Sequence, residues 1–414
     1  MMTTLTHEGR RALDELVKKV IDEKAIPGFV FGATSANQEI YFKTGGTNVF
    51  DDPASGQVKE DSVFWLCSQT KMVVHCFHPK LAALKLTEEG KLSPEAPVSA
   101  YFPEFSHLCI VEDQMAPTWS YKPAETVMTI DHLLHHTSGL FYPMRDIKFD
   151  QQLDAYAAPH SETDAVSEFI SFIKRDDLPG IPVLFEPGTN FSYGFSSDIL
   201  GFIVEKASGK SLESYLQETI FKPLGMTASF YLTPDIESRL VDMTYRRNGV
   251  MERWAGQSRL YEEDPAKVRR LLGGVGLYGS LRDYLSLLRH ILQIRAGTAK
   301  NPLFSVDIIK SIFEPSLNEE GSKSIGQFLA HYPFTPPGSI LQWSNALALT
   351  MTDWPERRRK GTAFWFGWAN TYHMIDPETG VAAVFGTQII PTADQEVYRL
   401  YVEFEKTLYA GLSV

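Results

Sequence analysis

The chain has 414 residues, of which 43% are hydrophobic and 22% are charged, and its formal net charge is −12. This composition is typical of a globular protein, and the length allows one large core or roughly two to three domains. The negative charge argues against nucleic acid and anionic membranes as main partners, and no run of about 18 apolar residues is present that could span a membrane.

The N-terminal region predicts a helix followed by short strands. Leucine and valine recur at helical spacing over residues 7–24, which indicates an amphipathic helix. Apolar runs at 29–33 and 39–43 predict a hairpin, and a third run, Val63 to Leu66, leads to Ser68. The segment after Ser68 has a helical pattern that we expect to kink or break at Pro79.

The middle of the chain has a mainly helical pattern, and strand patterns return near the C-terminus. Helical periodicity extends from Ser68 to about residue 260. Apolar runs at 372–375 and 381–386 flank a turn of Asp, Pro, Thr and Gly, which predicts a second hairpin. A last amphipathic helix follows from Val397 to Leu408, whereas residues 314–362 give no clear element.

Strand patterns at both chain ends enclose the helical middle. The sequence therefore predicts an α/β (α+β) protein, with an antiparallel sheet flanked by helices and a large helical lobe inserted into it. The predicted sheet domain comprises residues 1–72 and 265–414, and the predicted, mostly helical domain comprises residues 73–264. We expect the active site in the cleft between these domains, and Ser68 lies at the first junction.

The pattern Ser68-x-x-Lys71 places a hydroxyl and an amine one helical turn apart. An amine that has lost its proton can activate a serine hydroxyl as a nucleophile. Ser-x-x-Lys is the arrangement of the serine β-lactamases and penicillin-binding proteins. The same spacing recurs at Ser171 and Lys174, inside an apolar helical segment with no strand before it. We interpret that second occurrence as a chance match and prefer Ser68.

Motifs for other chemistries are absent or incomplete. No serine has glycine two residues before and two residues after it, so the hydrolase nucleophile elbow is absent. Gly274, Gly276 and Gly279 match the dinucleotide spacing, but without a surrounding βαβ unit we interpret them as a tight turn before a helix. His132 and His136 have the spacing of two metal ligands, yet no third ligand is obvious and a structural role is favoured. The sequence predicts no cofactor and no metal.

Cysteine usage and the N-terminus favour a cytoplasmic protein. Cys67, Cys76 and Cys109 form neither an even disulfide framework nor a C-x-x-C pair, and we interpret Cys67 as a packing residue. Residues 1–8 lack the basic and apolar regions of a signal peptide. The basic run at 357–360 is interpreted as a solvated loop, with a docking or targeting patch as the alternative.

Several segments, in order along the chain, resemble the β-lactamase-related serine hydrolases. This family includes class C β-lactamases, D-alanyl-D-alanine carboxypeptidases and family VIII esterases. Residues 68–71 resemble its first motif, residues 132–140 (HLLHHTSGL) its structural helix-and-turn signature, residues 185–193 the segment of its second motif, and residues 273–284 its glycine-rich turn and helix. The resemblance covers nearly the whole chain and implies a β-lactamase/transpeptidase-like fold.

Two departures from the family pattern bear on activity. The β-lactamases of this type carry Tyr-x-Asn at the second motif and Lys-Thr-Gly at the third, whereas this chain has Tyr193-Gly-Phe and Trp365-Phe-Gly. The missing Asn and Lys would help to hold a β-lactam, so antibiotic hydrolysis is not the expected activity. Trp-x-Gly is typical of the esterase branch. The pattern from Trp365 to Asn370 further resembles the fungal acyltransferases of polyketide pathways, which include the lovastatin transesterase.

The resemblance implies a catalytic set of Ser68, Lys71, Tyr193 and Gly367. Ser68 would attack an acyl carbonyl, and Lys71 and Tyr193 would share its proton. The backbone N–H groups of Ser68 and Gly367 would bind the oxyanion. The family favours a Tyr193 phenolate held by Lys71 as the base, while the residues alone leave both candidates open.

The expected function is a serine acyltransferase (transesterase) of secondary metabolism that forms an acyl-enzyme on Ser68. A carboxylesterase or lactone hydrolase with the same site is the first alternative. A fold recruited for non-acylating binding, cyclisation or isomerisation is the second. The expected partners are a small-molecule or carrier-bound acyl donor and a hydrophobic small-molecule acceptor. The predicted substrate-binding residues are Trp365, Phe366, Trp368, Asn370 and Tyr142. Phe141 is a pocket candidate together with Tyr142, and core packing is the alternative for Trp365 and Trp368.

Overall fold

The computed structural model describes residues 3–76, 92–143, 156, 160–254, 264–392 and 394–413. Its α-helices are α1 (His7–Glu23), α2 (Thr70–Cys76), α3 (Ile130–Leu134), α4 (Ala165–Lys174), α5 (Ser196–Ser208), α6 (Leu212–Leu216), α7 (Lys222–Leu224), α8 (Pro234–Glu237), α9 (Leu281–Arg295), α10 (Val306–Ser311), α11 (Glu319–Ala330) and α12 (Gln395–Gly411). Its strands are β1 (Thr4–Leu5), β2 (Phe29–Ser35), β3 (Glu39–Gly45), β4 (Val63–Trp65), β5 (Leu108–Val111), β6 (Tyr121–Pro123), β7 (Ile181–Val183), β8 (Ala228–Ser229), β9 (Thr244–Arg247), β10 (Val250–Arg253), β11 (Tyr278–Ser280), β12 (Leu341–Trp343), β13 (Ala348–Thr350), β14 (Ala363–Gly367), β15 (Thr371–Asp376), β16 (Val381–Thr387), β17 (Ile389–Ile390) and β18 (Leu412–Ser413).

The central sheet combines strands from both ends of the chain, in the order β12-β13-β14-β15-β16-β2-β3. Its neighbouring strands are antiparallel, and β2–β3 and β15–β16 form the two predicted hairpins. β16 joins the two halves by pairing with β2, which places Phe385 opposite Phe31. β2, β15 and β16 are buried along their whole length, so both faces of the sheet must be covered by other elements.

Helices cover the two faces of this sheet. Successive side chains of a strand point to opposite faces, so Phe31 and Gly32 of β2 identify the helix on each side. The ring of Phe31 stacks on Phe404 of α12, with 4.7 Å between centroids, and α12 packs against α1. On the other face, a Cβ at Gly32 would lie 3.2 Å from Leu285 Cδ2 of α9. The predicted antiparallel sheet flanked by helices is confirmed.

A smaller sheet carries the chain to Ser68. β11 lies between β4 and β8, with Tyr278 opposite Trp65. This pairing brings the end of β4 next to the glycine-rich segment that precedes β11. The strands β5 to β10 lie in the stretch predicted to be mainly helical, but they are only two to four residues long, too short to show an alternating pattern. The division into a sheet domain and a helical domain stays a prediction.

The interpretation of residues 357–360 as a solvated loop is wrong for its first half. Arg357 and Arg358 are 6% and 0% exposed, and both guanidinium groups bond the buried carboxylate of Glu405 in α12. Arg359 instead pairs with Asp353, and both of their side chains are 56% exposed. The sequence shows the adjacent positive charges, but not the carboxylate that lies 47 residues further along.

Two further segments relate to the sequence predictions. Residues 314–362 contain α11, β12 and β13; α11 has few buried apolar residues, which explains its weak pattern. The break expected at Pro79 lies outside the described residues. Within the described ranges, no helix combines the length and apolar character needed to cross a membrane, and the cytoplasmic location stays a prediction.

Candidate active site

Ser68 lies in the tight turn between β4 and α2. Gln388 holds the strand before it, because its side-chain amide bonds both the N–H and the carbonyl of Trp65, at 3.0 and 3.2 Å. Cys67 adopts a φ of 50°, a left-handed conformation that costs a non-glycine residue about 1 kcal/mol or more. Ser68 itself is 9% exposed. A clamped strand and a strained turn therefore fix the position of its hydroxyl.

Lys71 follows one turn later and is fully buried, on the same face as Ser68. Its Nζ donates to Ser68 Oγ at 3.1 Å, to the Tyr142 hydroxyl at 3.2 Å and to the Gly274 carbonyl at 2.8 Å. A lysine ammonium has three N–H donors, so these acceptors use all of them. The network holds the amine against the serine and satisfies a group that is costly to bury.

Tyr193 approaches Ser68 with its hydroxyl. Trp365 Nε1 donates to this hydroxyl at 3.1 Å. Burial raises the pKa of the Tyr193 phenol, while the nearby Ser68 side chain and the Trp365 N–H act to lower it. Lys71 Nζ lies 4.6 Å from the centroid of the Tyr193 ring. The ammonium therefore faces the ring, and its three N–H groups are directed to other acceptors.

Tyr142 contacts Lys71 and begins a chain of hydroxyl groups. The Tyr156 hydroxyl lies 2.9 Å from the Tyr142 hydroxyl and 2.9 Å from Asp198 Oδ2. Asp198 is fully buried, and its Oδ1 accepts the Gly274 N–H at 2.8 Å. Burial raises the pKa of Asp198, and the positive charge of Lys71 opposes this.

Sequence reasoning missed Tyr156 and Asp198. The available signal was one acidic residue in the first turn of α5, a helix whose side chains are otherwise largely apolar and buried. An acid on the buried side of such a helix needs a hydrogen-bonded partner. The substrate-binding role expected for Tyr142 stays a prediction beside its contact with Lys71.

Gly367 brings the end of β14 against the turn at Ser68. A Cβ at this position would lie 2.5 Å from the Leu66 carbonyl oxygen and 3.3 Å from Cys67 Cβ. The two backbones can approach this closely because residue 367 has no side chain. This contact brings residue 367 beside the turn that holds Ser68, and the oxyanion role of the Ser68 and Gly367 N–H groups stays a prediction.

The predicted substrate-binding residues differ in accessibility. Asn370 is fully buried with a left-handed φ of 65°, and its amide donates to the Ile389 carbonyl at 2.7 Å. Trp365 and Phe366 are 2% and 5% exposed, whereas Trp368 is partly exposed. Their roles stay predictions, and the geometry favours Trp368 over Asn370 as a residue that substrate can reach.

Gly194 and Phe195, which follow Tyr193, distinguish the second motif of this chain from that of the β-lactamases. A Cβ at Gly194 would lie 2.4 Å from the Leu140 carbonyl oxygen, so the loops that carry Tyr142 and Tyr193 pack backbone to backbone. Phe195 occupies the position where the β-lactamases carry Asn, and its ring packs edge-on against Tyr142 with 5.0 Å between centroids. An apolar ring thus stands at the motif position of a polar amide.

The two histidines with metal-ligand spacing make structural contacts. His132 Nδ1 accepts the Thr129 N–H in a capping box at the start of α3. The His136 ring is buried and stacks on His75, with 5.2 Å between centroids. Burial lowers the pKa of both His132 and His136. Across the described residues, no group of three or more potential metal-ligating side chains is present.

The second Ser-x-x-Lys pattern lies in α4, where Ser171 is on the exposed side of the helix. A cavity of about 760 Å³ lies beside α4 and is lined partly by Phe141 and Phe195. Its described lining also includes acidic residues of α4 and the following loop, but neither Ser68 nor Lys71. The described lining of the cavity therefore does not include the serine and lysine of the candidate active site.

Known proteins match this chain over most of its length. The family model described as Beta-lactamase matches residues 13–406. Monacolin J acid methylbutanoyltransferase of Aspergillus terreus is 27% identical over 418 residues, covering 96% of this chain and 95% of that protein. Lovastatin esterase of Penicillium rubens is 27% identical over 402 residues, covering 93% and 94%. The structure of unliganded simvastatin synthase from Aspergillus terreus is 23% identical, with a TM-score of 0.78 over 97% of this chain and 98% of that chain, and it confirms the predicted fold.

Proposed function

The chain belongs to the beta-lactamase family, and we propose that it is a serine acyltransferase of secondary metabolism. Ser68 takes an acyl group from a small-molecule or carrier-bound donor and passes it to a hydrophobic small-molecule acceptor. The observation that carries this proposal is the 3.1 Å contact between buried Lys71 Nζ and Ser68 Oγ. The Tyr193 ring lies against the same lysine, with 4.6 Å between Lys71 Nζ and the ring centroid, so two groups that exchange protons lie beside one nucleophile.

Acylation begins with attack of Ser68 Oγ on the acyl carbonyl. The serine proton passes to the Lys71–Tyr193 pair and from there to the departing group of the donor. The oxyanion is bound by the backbone N–H groups of Ser68 and Gly367, and each such donor contributes about 3–4 kcal/mol to the transition state. The close approach of Gly367 to the turn at Cys67 supports this assignment.

The aromatic side chains at the second and third motifs support an uncharged acyl group. Phe195 occupies the position of the β-lactamase amide, and the Trp365 indole N–H is directed to Tyr193. The amide and the ammonium that would bind a β-lactam are therefore replaced by aromatic side chains. Neither aromatic side chain offers a positive charge to a substrate carboxylate, which is costly to bury unpaired, so a neutral, apolar acyl chain is the better fit.

A carboxylesterase is the second candidate, and it is favoured by the relative named lovastatin esterase. The two activities differ in whether water or an alcohol removes the acyl group from Ser68. The protein would be acylated with p-nitrophenyl butyrate, and the unreacted donor would then be removed. One half of the sample would be incubated in buffer alone and the other half in buffer that contains a hydrophobic alcohol. Intact-protein mass spectrometry then follows the adduct.

For an acyltransferase we expect the alcohol to clear the adduct at least about tenfold faster than water, with formation of the alkyl butyrate. Equal clearance with and without alcohols of several sizes would favour the esterase. Absence of any adduct on the wild-type protein would contradict both and favour a non-acylating role.

A further inference from the structure

We propose that Tyr142, Tyr156 and Asp198 form a proton relay for Lys71. Through this relay Lys71 passes a proton to a buried carboxylate and then acts on Ser68 as a neutral amine. The path is continuous: Lys71 Nζ lies 3.2 Å from the Tyr142 hydroxyl, which lies 2.9 Å from that of Tyr156, which lies 2.9 Å from Asp198 Oδ2. This inference rests on the proposed acylation of Ser68.

In each protonation state of Asp198, all hydrogen bonds along the path donate in the same direction. A carboxylate only accepts, so with Asp198 ionised the single hydrogen of the Tyr156 hydroxyl points to Oδ2. The Tyr156 oxygen then accepts from Tyr142, and the Tyr142 oxygen accepts from Lys71. With Asp198 protonated every bond reverses, and Tyr156 donates to Tyr142. The same three distances accommodate both states.

The transfer is balanced within the protein. One Lys71 N–H bond breaks as a Tyr142 O–H bond forms, the original Tyr142 proton moves to Tyr156, and the original Tyr156 proton moves to Asp198 Oδ2. One proton has moved from an ammonium to a carboxylate, and neither tyrosine has changed its charge. Rotation about the lysine Cε–Nζ bond then turns the free electron pair toward Ser68 Oγ, which lies 3.1 Å away.

Gly274 fixes both ends of the relay. Its carbonyl accepts from Lys71 at 2.8 Å and its N–H donates to Asp198 Oδ1 at 2.8 Å. A Cβ at Gly274 would lie 2.7 Å from Asp198 Oδ2, so glycine is required for this approach. The glycine-rich turn thereby acquires a role in the chemistry beyond close packing.

Burial favours the exchange of the proton. Lys71 and Asp198 are both 0% exposed. Burying a charged group costs more hydration free energy than burying its neutral form, so burial favours the neutral pair over the ion pair. The other groups that face the carboxylate are the Arg270 guanidinium and the Tyr156 and Tyr193 phenols. Arg270 opposes the effect of burial by favouring the ionised form of Asp198. In the relay as proposed, the ion pair is the resting state and the neutral pair forms during attack.

Tyr156→Phe tests the relay, because it removes one hydroxyl and keeps the ring. The measurement is the rate of Ser68 acylation by p-nitrophenyl butyrate, followed by rapid quenching and intact-protein mass spectrometry between pH 6 and about 10. Tyr41→Phe is the matched control, since the buried Tyr41 also donates to a carboxylate, Asp14, at 3.1 Å. Asp198→Asn interrupts the relay at its far end and keeps an oxygen for the Gly274 N–H.

We expect Tyr156→Phe to lower the acylation rate about 10–100-fold at pH 7, and by much less near pH 10, where hydroxide competes with the relay as proton acceptor. Asp198→Asn should give the same displaced pH profile. The double variant should be no slower than the slower single variant, because the residues act as one unit. The Tyr41→Phe rate should equal the wild-type rate at every pH.

Two results would overturn the relay while leaving the proposed function intact. The first is a wild-type adduct with unchanged rates in both variants. The second is a loss that is equal at every pH, which indicates a structural effect only. If Tyr156→Phe does not fold, Tyr142→Phe interrupts the same path one step nearer to Lys71. Failure of the wild-type protein to acylate at any pH would overturn the proposed function, and the relay with it.

Discussion

Replacing Glu405 by glutamine removes the negative charge that two buried arginines share. Arg357 and Arg358 contact this carboxylate at 2.5 to 2.9 Å. Burial alone would raise the pKa of Glu405, but the charges of Arg358 and Arg357 and their hydrogen bonds lower it from 4.5 to about 2. A difference of about 2.5 in pKa corresponds to about 3 kcal/mol of stability. This is the size expected when one partner of a buried ion pair is removed, about 3–5 kcal/mol.

The assay is unfolding in denaturant at pH 7, with Glu403→Gln as the matched control. Glu403 lies in the same helix and pairs with Lys19 and Arg399, but its side chain is 35% exposed, so its loss should cost at most about 1 kcal/mol. We expect Glu405→Gln to lower the free energy of unfolding by about 3 kcal/mol.

The pH dependence has a defined sign. The folded-state pKa of Glu405 is depressed, so the contribution of its carboxylate is complete above pH 4.5 and is lost as the pH falls toward about 2. The difference between wild type and Glu405→Gln should therefore narrow over that range. A loss no greater than that of Glu403→Gln, or a difference independent of pH, would refute this reasoning.

Two further substitutions probe the serine site. Trp365→Phe removes the N–H that donates to the Tyr193 hydroxyl at 3.1 Å. Because one lost hydrogen bond costs about 1 kcal/mol or more, we expect acylation to slow about tenfold in stopped-flow assays. An unchanged rate would contradict a role for this bond. Gly367→Ala places a Cβ 2.5 Å from the Leu66 carbonyl oxygen, so acylation should fall at least about 100-fold. Gly326→Ala, whose Cβ would meet nothing within 4 Å, is its control and should retain full activity.

The local parts of the site could be predicted from the sequence. Ser68 and Lys71 are one helical turn apart, so their contact follows from spacing alone. The family pattern supplied Tyr193 and Gly367, which come from distant parts of the chain but carry recognisable neighbours. The hairpins and the terminal helices were predicted for a similar reason, because each is specified by its own apolar periodicity.

The missed features depend on tertiary contacts. Tyr156 and Asp198 meet only where α5 packs beside the glycine-rich turn. The acidic residue in the buried first turn of α5 indicates that Asp198 needs a partner, but not which residue supplies it. Arg357 and Arg358 form a basic run in sequence, but Glu405 in α12 draws them into the core. Asn370 belongs to the same motif as Trp365, Phe366 and Trp368, and substrate binding was expected of it for that reason. Its left-handed φ and its buried amide instead stabilise the turn after β14.

An acyl adduct on Ser68 is the most direct test of covalent acyl transfer by this protein. Wild type and Ser68→Ala would be exposed briefly to p-nitrophenyl butyrate, and the adduct would be measured by intact mass and located by peptide mapping. We expect one butyryl group per wild-type molecule, on the peptide that contains Ser68, and none on Ser68→Ala. An adduct of equal extent on Ser68→Ala, or no adduct on the wild-type protein, would contradict a serine acyl-enzyme.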